Sequence, residues 1–235
     1  MADEMNDPRT MERTILRWGG LAGILGGIFF LLTFVVVIGF ALPDPADPKA
    51  LARFPDIRAA RTLENSLYLV ALILWVTLFL ALYRALRQTS LAPALVGSVL
   101  GILGLVVLAA GALPHVASAS ISDLYHAPGV TAEDKATLVL IWQATQGIFE
   151  ALLTVGILLV TTGVIALGVA MLGAPAFGKG LGWASVVLGV VGFIAAFFDL
   201  IDPPSPIAAA GFLALMAFQL VLGWKAYRLS RVSSR

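Results

Sequence analysis

Apolar residues fill stretches long enough to cross a bilayer along almost the whole chain, and short polar or proline-rich breaks separate them. The first stretch predicts a helix over about 16–42, closed by Pro43-Asp44-Pro45. A second follows at about 62–86, with Glu64 in its first turn, where a carboxylate suits the positive end of the helix dipole. A third runs over about 93–113, from Pro93 in the opening turn to the residue before Pro114. The fourth apolar stretch is too long for one span: Thr131 to Leu172 unbroken would make a rod of about 60 Å, roughly twice the hydrocarbon thickness. A short amphipathic piece near Thr131 to Gln143 is therefore expected outside the bilayer, followed by a spanning helix at about 144–172. The last two helices are predicted at about 180–202, stopped by Pro203-Pro204, and at about 206–229.

This layout reads as an all-α polytopic membrane protein, one bundle of six transmembrane helices between a terminal segment (1–15) and a tail (230–235). Composition agrees, since 60% of the 235 residues are hydrophobic, 12% are charged and the mean hydropathy is +0.96. Lipid is then the principal partner. The amino-terminal residues mix Asp3, Glu4, Asp7 and Glu12 with arginines and precede no small-residue cleavage site, so the first helix is expected to be retained as a signal anchor. Charge sets the expected orientation. Arg9, Arg13, Arg17, Arg84, Arg87, Lys179, Lys225, Arg228, Arg231 and Arg235 fall on one side, and only Lys49, Arg53, Arg58, Arg61 and Lys135 on the other. The richer side is cytoplasmic by the positive-inside rule, which puts both termini in the cytoplasm of a cell-membrane protein. Trp18, Trp183 and Trp224 sit at the same ends and read as an interfacial belt.

Glycines recur at helix-packing intervals in the odd helices: Gly19, Gly23 and Gly27; Gly97, Gly101 and Gly104; Gly182, Gly189 and Gly192 with Ser185 between. Small residues so spaced let helix backbones approach closely. The same pattern is compatible with three hairpins repeated at about 75 residues, as transporter folds often show.

Polar residues that could form a site gather toward the outer ends. Gln143, Gln146, Glu150, Thr154 and Thr161 make one stripe on the fourth helix, expected to face protein. Counting back from Leu172 puts Glu150 about 33 Å away, near the outer interface, pointing inward toward Glu64, His115 and Asp199. Asp199 and Asp202 end the fifth helix, where carboxylates oppose the dipole and need a cationic partner; Lys49, Arg53, Arg58 and Arg61 of the first outer loop could supply one. The candidate ligand-binding set is thus Glu64, His115, Gln143, Gln146, Glu150, Asp199 and Asp202. No catalytic residue and no metal set is assigned.

Several chemistries are set aside. Without cysteine there is no disulfide, thiolate nucleophile or thiolate metal site. Gly173-Ala-Pro-Ala-Phe-Gly178-Lys179-Gly180 has phosphate-loop spacing, but Gly180 replaces the Ser or Thr that holds magnesium and no strand precedes it, so no nucleotide partner is expected. Neither is nucleic acid. No lysine lies within a spanning core to carry a Schiff base, and no pair of intrahelical histidines could hold a haem.

The layout resembles the bacterial membrane family known as domain of unknown function 4386, through Trp18-Gly-Gly-Leu-Ala-Gly, Leu80-Ala-Leu-Tyr83-Arg84, Gly180-Leu-Gly182-Trp183 and the basic end of the last helix. The resemblance implies a six-helix fold and no established activity, so no site residue or cofactor is carried over. The expectation from sequence is a non-enzymatic membrane protein with an outward-facing polar site, either a small-ligand or lipid binder or an accessory subunit beside other membrane proteins. A solute or ion transporter is the alternative and an intramembrane metal-dependent hydrolase the second.

Overall fold

The computed structural model describes residues 8–201 and 206–232, with side chains for 10–201 and 216–231. It is all-helical among these residues: α1 (Pro8–Gly39), α2 (Pro48–Leu86), α3 (Leu91–Ala110), α4 (Ala112–Tyr125), α5 (Ala132–Leu172), α6 (Lys179–Ile201) and α7 (Pro206–Val232). Among the described residues, five helical stretches are long and apolar enough to cross a membrane, counting α3 and α4 as one through Gly111. Large apolar side chains stay exposed along their flanks, among them Ile38, Ile73, Val106, Val187 and Phe198. An apolar surface of this extent calls for a nonaqueous partner.

The helices close into a ring, each packed on the next, with two tightly joined trios: α1 between α2 and α7, and α5 between α3 and α6. Glycine sets both. On α1, Gly19 abuts Ala81 of α2 and Gly20 abuts the backbone of Tyr227 of α7, so adjacent glycines serve opposite neighbours. A side chain at Gly163 of α5 would meet the Gly101 amide nitrogen at 2.6 Å and the Gly97 carbonyl at 2.7 Å. Gly156 and Gly168 of α5 and Gly223 of α7 make equally close approaches. α5 and α7 thus carry contact glycines of their own, whereas α2 has none. Because α6 leans mainly on α5 and α7 on α1, the last hairpin is not a closed pair like the first.

Three boundaries differ from the sequence-based expectation, and all three add helix at one end of the ring. The second helix begins at Pro48, not near 62: Asp47 caps it by accepting from the Lys49 amide, and Pro48 occupies the first turn. The third does not stop before Pro114; the chain turns at Gly111 and continues as α4, with Pro114 in the opening turn, where a missing N–H costs nothing. The fourth is unbroken from Ala132, started by a Thr131/Asp134 capping box. Since Gly19, Gly23 and Gly26 lie opposite Ala81, Leu78 and Trp75, continuing the antiparallel pairing sets the end of α1 level with Arg61. The α2 residues before it project about 20 Å further.

These projecting segments form a cap with its own small core of Ala50, Leu51, Phe54, Ile121 and Trp142. Phe54 meets the Trp142 ring edge-on at 5.6 Å, and the Trp142 indole donates to the Pro45 carbonyl at 2.8 Å. The buried positions of the α2 extension, Ala50, Leu51, Phe54 and Ile57, recur at helical spacing between charged neighbours. That amphipathicity makes the segment helical although its mean hydropathy is low.

Candidate functional site

Where the cap meets the ring, α1, α2, α4 and α5 leave two adjoining cavities. The inner one, about 160 Å³, is largely aromatic, bounded by Phe30, Phe34, Tyr68 and Phe149. The outer one, about 340 Å³, runs under the cap past Arg61, Thr62, Ser66, Trp142 and Gln146. Asn65 and His115 border both and so mark the junction.

The polar atoms at this junction are unusual for being buried without partners. Asn65 Oδ1, His115 Nε2 and Gln146 Oε1 are inaccessible to water and make no hydrogen bond. An unsatisfied buried polar atom costs about 1–3 kcal/mol, so three together compare with a sizeable part of a domain's net stability of about 5–15 kcal/mol. The orientation of Gln146 is set by its surroundings: the Ser118 hydroxyl donates to the Pro114 carbonyl at 3.0 Å and is left to accept from Gln146 Nε2 at 3.2 Å. Gln146 Oε1 is therefore left as an unpaired acceptor on a residue that borders the outer cavity. Gln146 is buried by its place on the inner face of α5, where Trp142 precedes it by one turn.

The charges here are already neutralised. Arg61 donates to Glu64 Oε2 at 2.9 Å through Nη1 and to the Pro43 carbonyl through Nη2, both side chains being largely shielded. Arg58, at the outer rim, pairs with Asp123 of α4 at 3.0 Å. Tyr68 donates to the Leu108 carbonyl at 3.2 Å, and the His115 ring lies 4.4 Å from that of Phe149. The cavities are lined by neutral amides, an imidazole, hydroxyls and apolar surface, with two guanidiniums that are each already paired with a carboxylate.

Of the residues expected at the site, Glu64, His115 and Gln146 come together here. Glu64 does so in mid-helix and not in a first turn, because α2 starts earlier; its partner is Arg61 and not a helix dipole. Gln143 and Glu150 are exposed, so the stripe on α5 is only partly internal, with Gln146, Thr154 and Thr161 forming its buried line. The expectation that Glu150 points into the bundle is corrected by its exposure: about 100° per residue sets it between Gln146 and Thr154 on the same face, so its exposure reflects what packs at its level of the helix and not the direction in which it points. Its charged neighbours are Asp44 and Asp199. Asp199 accepts from the Thr154 hydroxyl at 3.0 Å, outside the cavity lining. The guanidiniums of Arg58 and Arg61, expected to pair with the end of the fifth helix, are taken by Asp123 and Glu64 instead. Asp202 lies outside the described residues. Among the described residues no three His, Asp or Glu side chains gather as a metal-ligand set.

Sequence reasoning did not single out Asn65 as a site residue, nor Ser118, Trp142 and Arg61. Asn65 carried a signal, since it stands one residue from Glu64 and one turn from Tyr68 on a spanning helix. Trp142 and Ser118 carried none, as their place depends on how the cap folds over. No family model, curated protein or solved structure matches the chain.

Proposed function

We propose that this is a six-span membrane protein, both termini cytoplasmic, that binds a small ligand in the cavity beneath its extracytoplasmic cap and does no covalent chemistry there. The observation that carries this reading is the convergence of Asn65 Oδ1, His115 Nε2 and Gln146 Oε1, buried and unpaired, on one cavity. Buried polar atoms left unpaired at such cost are explained if a ligand completes them on binding. The two volumes together fall within the range of about 300–1,000 Å³ usual for small-molecule sites. The bias of Lys and Arg toward the end opposite the cap supports the orientation. The resemblance to domain of unknown function 4386 adds a fold and no activity.

The test is native mass spectrometry of protein purified in a mild detergent, with solvent extraction of whatever is retained. A discrete bound mass is expected, and the Asn65→Leu/Gln146→Leu double variant should lose it while keeping its helical circular dichroism. A bound mass unaffected by that variant, or none in either protein, would count against the cavity as a ligand site.

A second reading, the transporter, is favoured by one feature deeper in the ring. Gln219 of α7 is fully buried with both amide atoms unpaired, one turn from Gly223, and Trp75 Nε1 is unpaired one turn from Leu78. Leu78 and Gly223 both abut Gly23, so the two side chains lie at one level below the cavity. A solute path would pass there, and uptake into proteoliposomes abolished by Gln219→Leu is the outcome that would distinguish transport from binding.

A further inference from the structure

From the shape and polarity of the cavities we infer that the ligand is a neutral amphiphile with a hydroxyl-bearing head, taken up sideways from the outer leaflet between α2 and α4. The inference rests on the reading of the cavity as a binding site and names its ligand class and route.

The mouth of the outer cavity carries the first argument. Its α2 rim runs Arg58, Thr62, Ser66, Leu69, one residue per turn, over about 16 Å, and its α4 rim includes Val116, which is 63% exposed. Arg58, Thr62 and Ser66 are exposed as well. The slot therefore opens on the flank of the bundle, not through the top of the cap, where Trp142 and Pro45 are bonded together. Its polarity falls from a guanidinium level with the cap to a leucine level with Leu32 of α1, by the antiparallel pairing of α1 and α2. That gradient has the polarity profile of the water-to-lipid interface itself. A water-soluble solute would meet Leu69 and Val116 on entry; an amphiphile lying in the leaflet would meet them with its apolar part.

The interior carries the second argument. Phe30, Phe34, Tyr68 and Phe149 make the inner chamber largely aromatic. The polar junction above it is bordered by Gln146, whose Oε1 is left an unpaired acceptor by the bond of its amide nitrogen to Ser118, beside Asn65 and His115. An acceptor requires a donor on the ligand. A carboxylate or phosphate head offers none to Gln146, and both guanidiniums of the lining are already taken, Arg61 by Glu64 and the Pro43 carbonyl and Arg58 by Asp123. A quaternary ammonium offers none either. Hydroxyls donate and accept, so they match an acceptor and an imidazole at once.

The probe is radiolabelled 1-monolauroylglycerol, with laurate at pH 9 and glycerol as comparisons, measured against the full chain in phosphatidylcholine nanodiscs and corrected with empty nanodiscs. Saturable binding of monolauroylglycerol is expected, at least about tenfold tighter than laurate, with no saturable binding of glycerol. Gln146→Leu should weaken it about tenfold, as loss of one buried hydrogen bond does; Asn65→Leu serves if that variant does not fold. Val116→Trp, at an already exposed position, should slow association about tenfold or more. Laurate binding as tightly as monolauroylglycerol overturns the neutral head, and unchanged association in Val116→Trp overturns the lateral route. Gln146-dependent binding of glycerol alone overturns the amphiphile and leaves the cavity standing as a site. Monolauroylglycerol binding indifferent to both Gln146→Leu and Asn65→Leu overturns the site itself.

Discussion

At the residue scale, the end of α1 shows how a single backbone choice fixes a corner. Ala41 has φ 46°, with its amide bonded to the Ile38 carbonyl and the Leu42 amide to the Val37 carbonyl, the pattern that closes a helix through a left-handed residue. Glycine is usual at such a position because a Cβ there costs about 1–2 kcal/mol. Against that gain stands the larger entropy a glycine loses on folding, about 0.5–1 kcal/mol. Ala41→Gly is therefore expected to stabilise by about 0.5–1 kcal/mol, a rise of about 1–3 °C in Tm for a chain of this length. Scanning fluorimetry in detergent checks it, and a lower Tm would show that the Ala41 methyl contributes packing that outweighs the strain. The corner matters to the site because the next residues, Leu42 and Pro43, hold the Arg61 guanidinium over the cavity rim through the Pro43 carbonyl.

At the element scale, the decisive contacts are backbone against backbone. α5 lies so close to α3 that Gly163 touches the Gly97 and Gly101 backbones, and no rotamer could relieve a side chain placed between them. Gly163→Leu should separate the helices and destabilise the protein by about 3 kcal/mol or more, beyond the usual cost of overpacking, because backbone cannot give way as side chains do. Gly147, sixteen residues or about four turns before it on the same helix, borders open space. Gly147→Ala should stabilise by about 0.5–1 kcal/mol through helix propensity alone. Opposite signs for the two variants in thermal melts are the expected result; equal effects would mean that the α3–α5 approach is looser than described.

At the scale of the whole molecule, the ring places the start of α1 and the end of α7 together, opposite the cap. The absence of cysteine makes this easy to read in cells. Single cysteines at Ser120 and Gly129, both on the cap side, should react with a membrane-impermeant maleimide on intact cells, whereas cysteines at Gln88 and Lys179 should react only after lysis. The reverse pattern would invert the protein and put the cavity on the cytoplasmic side.

The sequence by itself determined the helical class, the apolar spans, the close-packed glycines on α1, α3 and α6, and the side on which Glu64, His115 and Gln146 lie. These are local or periodic properties: hydropathy is additive along the chain, and a spacing of three or four residues defines a face whatever it packs on. Helix bounds were less legible where charge diluted an amphipathic pattern, as between Pro48 and Arg61, since the burial of Leu51 and Phe54 is provided by Ile121 and Trp142 from two other helices. The site itself was decided by tertiary structure. Gln146 and Glu150 lie about 40° apart on one face of α5, so that what packs at each level decides why Gln146 is covered and Glu150 is not, with the cap core reaching Trp142 beside Gln146. Whether Arg61 pairs with Glu64 or reaches the end of α6 depends on where Pro43 brings its carbonyl. A cavity is the space left between elements, and no segment of the chain encodes it alone.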